Sequence, residues 1–365
     1  MPRTPIDMTL LTDGGQSAEQ LAGTLSDWLQ AARETLDLAL YDVRLPGAAG
    51  DRVAAALRDA AARGVRVRIA YNLDEPAEET RPFEPPPPRT EPSLLEALGV
   101  PLCPIPGWHD LMHHKYAVRD GSAVWTGSTN WTRDSFERCE NVVVTVESAA
   151  VADGYARNFA ALWDAGRVGD SGDFDVAPAR VGDATVRPWF SPGRGPELSH
   201  RIAKRIGAAR RRVRIASPLL TAAPILATLA QAVREGDLDV RGVCDATQTE
   251  QVFRQWAANP ESSWKGPLLA TCLEVFTGKR STPYEPGSLH DYMHAKVTVA
   301  DDTVFVGSFN LSRSGEMNAE NVLEIADTGL ADRLVAWIDV LRERYPQSVR
   351  VPARLPDGVG GSSRG

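Results

Sequence analysis

The sequence predicts an α/β fold built twice within one chain of 365 residues. Three observations predict it. Strand-like and helix-like segments alternate. A long segment occurs in two copies about 180 residues apart. The composition, 43% hydrophobic and 24% charged, is that of a chain able to fill sizeable cores. The first copy reads WHDLMHHKYAVRDGSAVWTGSTNWTRDSFERCENVVVTV, from Trp108 to Val146. The second reads LHDYMHAKVTVADDTVFVGSFNLSRSGEMNAENVLEI, from Leu289 to Ile325.

The elements follow in the same order in each half. MTLLTDGG from Met8 is a strand running into a turn, matched by VRPWFSPG from Val186. The amphipathic helices AEQLAGTLSDWLQAARE and PELSHRIAKRIGAA come next, then the strands TLDLALYDVRL and RRVRIASPLLT. The helices DRVAAALRDAAARG and PILATLAQAVREG end at Gly64 and Gly236, residues suited to a left-handed C-cap. VRVRIAYNLD and LDVRGVCDA are strands. They are followed by a Pro-rich loop in the first half and by a long insertion, Ala246 to Leu289, in the second. Each repeat then supplies a strand pair, HHKYAVRD with AVWTGS and MHAKVTVAD with TVFVGS, and a further strand, NVVVTVE or NVLEIAD. The helices AVADGYARNFAALWDAG and GLADRLVAWIDVLRERY close the two halves. The expected organisation is a first unit over 1–166, a polar Gly-rich linker over 167–183, a second unit over 184–346 and a flexible tail over 347–365.

Several function classes are excluded early. No run of about 18 apolar residues occurs, so no membrane-spanning helix is expected. The opening MPRTPIDMTLLTDGG holds one Arg and no apolar stretch before Asp13, so no secretory signal is expected and the cytoplasm is the expected location. Cys103, Cys139, Cys244 and Cys272 lie far apart without a CxxC pair, which suits buried free thiols rather than a zinc ribbon or a disulfide framework. Charge is uneven: residues 1–176 hold 27 acidic and 16 basic residues, residues 177–365 hold 21 and 24. The basic excess lies in Arg201–Arg214, with seven bases and no acid. Ile202, Ile206, Ala209 and Val213 recur there at helical spacing, so a solvated helix face is expected ahead of a phosphate-binding track.

The chemistry sits in what the copies share: His113-x-Lys115-x4-Asp120-x6-Gly127-Ser128-x-Asn130 and His294-x-Lys296-x4-Asp301-x5-Gly307-Ser308-x-Asn310. The chain has only six His and five Lys, and two of those Lys stand two places after a His at the same point of the repeat. On a strand, residues i and i+2 share a face, so His113 projects with Lys115 and His294 with Lys296, while His114 points the other way. The GSTN and GSFN turns offer Ser, Asn and backbone N–H donors to an oxyanion. One neutral imidazole can attack phosphorus while a protonated one supplies a proton to the leaving oxygen. A phosphohistidine would split one displacement into two, and two ammonium groups would offset phosphoryl charge without a metal or other cofactor.

This doubled HxK…D…GSxN pattern resembles the phospholipase D superfamily, from the strand at Met8 to the helix ending near Tyr345. The resemblance implies two α/β/α sandwich units related by a pseudo-two-fold axis, with one active site at their interface. It implies a covalent phosphohistidine without metal. Carried over, His113 and His294 are nucleophile and acid, with His113 taken as nucleophile because the family usually attacks from its N-terminal copy. Lys115, Lys296, Asn130 and Asn310 hold the phosphate, and Ser128 and Ser308 assist or line the site. Glu140 and Glu320, each followed by Asn and Val, match the family glutamate that orients a catalytic His. Asp120, Asp301, Gly127 and Gly307 complete the motif, the aspartates in a structural role. The second copy departs by one residue in the spacer before its GS pair, a change expected in a hairpin turn. His109–Asp110 and His290–Asp291 recur before each motif and are expected at the pocket mouth rather than on a metal.

The expected activity is phospholipid head-group cleavage or exchange, with peripheral contact at the inner membrane face. Trp108, Phe253, Trp256, Trp264, Phe276 and the loop Pro76–Pro92 are the candidate lipid-facing elements. The alternative is a nuclease of the same fold, against which the acidic balance of the chain counts. A non-catalytic binding module fits least, because both copies keep their His, Lys, Ser, Asn and Glu.

Overall fold

The protein is described here by a computed structural model covering residues 4–74, 90–107, 110–283 and 289–353. The first half runs β1 (Ile6–Leu11), α1 (Ala18–Gln30), β2 (Thr35–Leu40), β3 (Val43–Arg44), α2 (Gly47–Ala62), β4 (Arg66–Leu73), α3 (Pro92–Glu96), β5 (Leu102–Pro106), β6 (Lys115–Arg119), β7 (Ala123–Gly127), β8 (Trp131–Thr132), α4 (Arg133–Glu137), β9 (Asn141–Glu147) and α5 (Ala149–Ala165). The second runs β10 (Ala179–Val181), β11 (Ala184–Ser191), α6 (Gly195–Ala208), β12 (Arg212–Ser217), α7 (Ala223–Glu235), β13 (Asp239–Asp245), α8 (Ala246–Ala257), α9 (Pro260–Ser263), α10 (Lys265–Leu273), β14 (Phe276–Lys279), β15 (Val297–Ala300), β16 (Thr303–Gly307), α11 (Arg313–Met317), β17 (Glu320–Ala326) and α12 (Thr328–Arg344).

Among the described residues, the first sheet has the order β1-β9-β7-β6-β2-β4-β5 and the second β10-β11-β17-β16-β15-β12-β13-β14. Strand for strand these are one topology used twice, with β10 added at one edge. The parallel pairs, β2 with β4 and β4 with β5, recur as β12 with β13 and β13 with β14. Buried apolar residues of α1 and α2 cover one face of the first sheet, and those of α6, α7 and α10 cover one face of the second. The inner faces share a single core. In it Tyr155, Phe159 and Leu162 of α5 and Leu334, Ile338 and Leu341 of α12 meet β9, β7, β17 and β16. The two units are thus joined by buried apolar surface rather than by a tether.

Two boundary expectations change accordingly. The segment 167–183 is not a free linker: Val168, Ser171 and Val176 are buried and Ala179–Val181 pairs with β11. The tail is anchored at its start, where Gln347 O accepts from Gly278 N at 2.8 Å and Val349 is buried. Residues 354–365 lie outside the described residues. Val176 and Val349 are spaced too sparsely to show as an apolar period, so composition alone missed them.

The motif aspartates build the frame. Asp120 (φ 52°) and Asp301 (φ 51°) sit in the hairpin turns at the far ends of β6 and β15, left-handed positions that Asp tolerates. Asp120 Oδ1 accepts from Glu34 N at 2.7 Å and Thr35 N at 2.9 Å. Asp301 accepts from Arg210 N at 2.8 Å, Arg211 N at 2.9 Å and Arg212 N at 3.1 Å. Each therefore ties its hairpin to the turn ahead of the neighbouring central strand. The missing spacer residue of the second copy falls in this turn, where Asp301–Asp302 replaces Asp120–Ser122.

The motif glycines are close-approach sites. A Cβ on Gly127 would lie 2.0 Å from Val142 O, at a φ of 141°, and one on Gly307 would lie 2.1 Å from Asn321 O. Gly121 (φ 56°) has open space where its Cβ would be. Gly127→Ala is expected to cost about 3 kcal/mol or more, and Gly121→Ala about 1 kcal/mol. Urea denaturation of the two variants checks the difference; equal costs would refute the close-approach account.

Candidate active site

Each half's HxK segment is held by the other half. Met112 forms a parallel bridge with Ala319, and Met293 forms one with Glu140. His113 N donates to Ala319 O at 2.9 Å, and Ala319 N to Leu111 O at 2.8 Å. Reciprocally, His294 N donates to Glu140 O at 3.1 Å, and Glu140 N to Tyr292 O at 3.2 Å. The residue before each His is pinned a second time from its own half, Met112 N to Asn72 Oδ1 at 3.0 Å and Met293 N to Asp245 Oδ2 at 3.1 Å. Asn72 and Asp245, at the ends of the equivalent strands β4 and β13, lie outside the repeated segment and were invisible as motif residues.

The structure brings both His and both Lys to one seam. Lys115 and Lys296 act electrostatically on both His113 and His294, and on each other. Lys115 Nζ donates to His113 O at 2.5 Å and Lys296 Nζ to His294 O at 2.7 Å, so each motif folds its ammonium back under its own His. Tyr41, missed in the sequence, packs its ring edge-on to His113 with centroids 4.5 Å apart and lies 4.7 Å from Lys115 Nζ. Burial and the lysine charges hold both imidazoles well below the usual His range. Burial alone, opposed by Glu320, brings Lys296 down to about 7. Burial lifts Glu320 to about 8, against the pull of Lys115. The seam is water-poor, and burial holds its basic groups toward their neutral forms, so a negative charge entering it would favour their protonation.

Orientation of the two imidazoles corrects the expectation for one glutamate. His113 Nδ1 lies 2.8 Å from both carboxylate oxygens of Glu320. His294 Nδ1 instead faces Asn141 Oδ1 at 3.0 Å, and Glu140 does not orient a His. The cause is a one-residue slip. Gly127 pairs with Val143, whereas Gly307 pairs with Val322, so the connection from the turn to the next strand is one residue longer in the first half. Asn141 therefore occupies the place of Glu320. Side chains alternate along a strand, so the slip turns Glu140 to the other side. There it is fully buried against Lys279 Nζ at 2.7 Å, the Tyr345 hydroxyl at 2.5 Å and Asp13 N at 3.3 Å. Both glutamates stand equally far from their motif glycines in sequence, so the slip could not be read there.

The motif serines are also reassigned. Ser128 Oγ donates to Asn141 Oδ1 at 2.7 Å and accepts from Val142 N at 3.0 Å. Ser308 Oγ accepts from Asn321 N at 3.0 Å and hydrogen-bonds Glu320. Both are fully buried. Their hydroxyls hold the residue that orients the opposite unit's His and are not turned to substrate. The amide oxygens of Asn130 and Asn310 are buried without a hydrogen-bond partner; toward an anion only the Nδ2 groups of these amides can donate.

The remaining candidates separate clearly. His114 is buried away from the seam, against Tyr116, Phe190 and Asn321. His290 Nδ1 lies 3.1 Å from Asp134 Oδ2 and Asp291 caps Thr282 N. Trp108, His109 and residues 75–89 lie outside the described residues. Phe253 and Phe276 are core residues rather than lipid-facing ones, whereas Trp264 is 42% exposed. Cys139, Cys244 and Cys272 are buried free thiols and Cys103 is half-buried. The basic run is neither a bare solvated face nor a free phosphate track. Arg201 and Arg205 reach Glu324, Arg211 reaches Asp302, and buried Arg214 reaches Asp239 and Asp339. Sequence shows a local excess of base; the matching carboxylates come from distant strands and helices. Among the described residues no group of three or more His, Cys, Asp or Glu is placed to hold a metal, and no helix is long and apolar enough to cross a membrane.

Comparison with known proteins matches the same repeats. The family model described as "Cardiolipin synthase, PLD-like domain" matches residues 25–163 and 202–342. The chain is 29% identical over 140 residues to the mitochondrial cardiolipin hydrolase of Xenopus laevis, 37% of this chain and 58% of that one. It is 29% identical over 136 residues to a phospholipase D of Rickettsia bellii, 37% of this chain and 60% of that one. The chain thus spans less than two thirds of the length of these relatives. The solved phosphatidylserine synthase of Haemophilus influenzae superposes with a TM-score of 0.63 at 14% identity, covering 95% of this chain and 87% of that one.

The electrostatics of the seam lead to an expected outcome. Lys296 binds its proton near pH 7 in the fold but near 10.5 when unfolded. Between those values the unfolded chain holds more protons, so this group makes stability rise with pH, and the charged lysine costs stability below the window. Lys296→Met is expected to stabilise the fold at pH 7 by on the order of 1–4 kcal/mol, measured by urea denaturation. An oxyanion raises the proton affinity of every group in the seam. Tungstate titrated at pH 8 in two buffers of different ionisation enthalpy should therefore show proton uptake; proton release would refute the assignment.

Proposed function

Because this chain belongs to the phospholipase D-like family, whose model matches both of its repeats, we propose that it cleaves the head-group phosphodiester of a phospholipid through a covalent phosphohistidine and without a metal. The observation that carries this reading is the convergence of His113, Lys115, His294 and Lys296 from two halves on one seam that closes only when both are folded. His113, in the N-terminal copy, is the nucleophile. Its Nδ1–H is held by Glu320, leaving the Nε2 lone pair for phosphorus. As the P–Nε2 bond forms, the bond to the leaving oxygen breaks and His294 supplies that oxygen's proton. A water or a second alcohol then attacks phosphorus, His294 takes its proton, and the electron pair of the P–N bond returns to His113. Water gives hydrolysis and an alcohol gives transfer. Lys115, Lys296, Asn130 and Asn310 hold the non-bridging oxygens.

A phospholipid is favoured over a nucleic acid on two grounds. Relatives carry the names cardiolipin hydrolase and phospholipase D, and the basic run that could track a backbone is largely spent on internal carboxylates. The cytoplasm, with peripheral contact at a membrane surface, is the corresponding location.

Labelled phospholipid in vesicles and single-stranded DNA, each with and without EDTA, test the reading. Head-group release that survives EDTA is expected; cleavage of DNA alone, or loss of turnover restored by a divalent ion, would overturn it. Lys115→Ala and Lys296→Ala are each expected to lower kcat by on the order of 10²–10³ with the fold intact. His294→Ala should still form a phosphohistidine on a p-nitrophenyl ester, whose leaving group needs little protonation, and His113→Ala should form none. Acid trapping and peptide mapping decide this, and phosphate on the His294 peptide would reverse the roles.

A further inference from the structure

The two catalytic imidazoles are oriented by different chemistry, and that difference bears on their roles. Glu320 places a carboxylate on Nδ1 of His113 at 2.8 Å. Asn141 places a neutral amide oxygen on Nδ1 of His294 at 3.0 Å. The Asn141 amide is fixed end to end: Oδ1 also accepts from Ser128 Oγ at 2.7 Å, and Nδ2 donates to Ser135 O at 3.1 Å. With its oxygen turned to the ring, His294 must carry its hydrogen on Nδ1 and present Nε2 to the seam. We propose that Asn141 is the positioning residue of His294 and that its lack of charge makes His294 the proton donor, while Glu320 makes His113 the nucleophile.

This assignment rests on the proposed phosphodiesterase activity, in which the two rings change charge in opposite senses. Attack turns neutral His113 into a phosphoimidazolium, a cation that Glu320 can stabilise as a carboxylate, the form that burial disfavours below about pH 8 and that a cation beside it favours. Transfer turns the imidazolium of His294 into a neutral ring, and a carboxylate there would hold the proton back. The other charged or titratable groups facing His294 are Lys296, Lys115, His113 and His290, and the lysine charges favour the neutral ring. Glu140, the residue before Asn141, is turned to Lys279.

Histidine-¹⁵N-labelled protein, followed by long-range ¹H–¹⁵N spectra from pH 5 to 9, tests this without turnover. His294 is expected as the Nδ1–H form. Asn141→Asp is expected to raise its pKa by about one unit or more, and Asn141→Leu to release the tautomer. In turnover, Asn141→Asp should lower kcat about tenfold for an alkyl leaving group, with the alkaline limb of the pH profile moved upward, and should spare a p-nitrophenyl ester. Should Asn141→Asp fail to fold, Ser128→Ala frees the same oxygen more mildly and should yield mixed tautomers. A wild-type His294 with an unprotonated Nδ1 at neutral pH, or a pKa unmoved in Asn141→Asp, overturns the proposal. A wild type with the expected tautomer that cleaves no phosphodiester supports the positioning and refutes the proposed function alone.

Discussion

The reciprocal backbone bridge across the seam is the constraint on which the rest depends. His113 and His294 each stand just before the first residues of a central strand, β6 or β15, where the strand end would otherwise leave an unpaired N–H. That N–H is satisfied by the opposite half, at Ala319 O for His113 and Glu140 O for His294. A buried backbone donor without a partner is costly, so neither half can relax away from the other without exposing it. The shared core between α5 and α12 supplies the non-directional part of the same attachment, and the bridges supply its register.

From this register the functional side chains follow. The turn glycines let β7 and β16 approach β9 and β17 closely enough for Ser128 and Ser308 to reach Asn141 and Glu320. Those two residues then cross the seam to the opposite unit's His. The result is a pair of chains of contact, Ser128–Asn141–His294 and Ser308–Glu320–His113, each beginning in one half and ending in the other. Because they share a design and differ in one ionisable group, Glu320 against Asn141, the site is symmetric in position and asymmetric in electrostatics. The slipped glutamate is not wasted: Glu140 with Lys279, Asp13 and Tyr345 forms a buried ionic cluster joining β1, β14 and the end of α12.

Burial of four cationic or potentially cationic groups around one seam opposes folding. The surrounding structure offsets that cost by over-determining their positions. Tyr41 and Glu320 stand against Lys115 and His113, while Asn72 and Asp245 pin the residues ahead of the two His. A negative charge brought into the seam would raise the proton affinity of these groups, so anion binding and pH are coupled there by linkage.

Much of this was legible in sequence, for a physical reason. Strand period and helix period set which residues share a face, so the order of elements, the pairing of His113 with Lys115 and of His294 with Lys296, and the inward turn of His114 follow from local pattern. The structural place of Asp120 and Asp301 follows from the known motif. What local pattern does not contain is the length of an irregular connection in space. The extra residue between α4 and β9 lies in a segment with no period, and it decides whether Glu140 or Asn141 faces His294. Likewise the partners of Arg201, Arg205 and Arg214, the burial of Val176 and Val349, and the approach of Tyr41 to His113 join residues far apart along the chain. Sequence determined which chemistry the chain carries; only tertiary packing decided which side chain points it at the seam, because a single-residue shift in a strand reverses every face it presents.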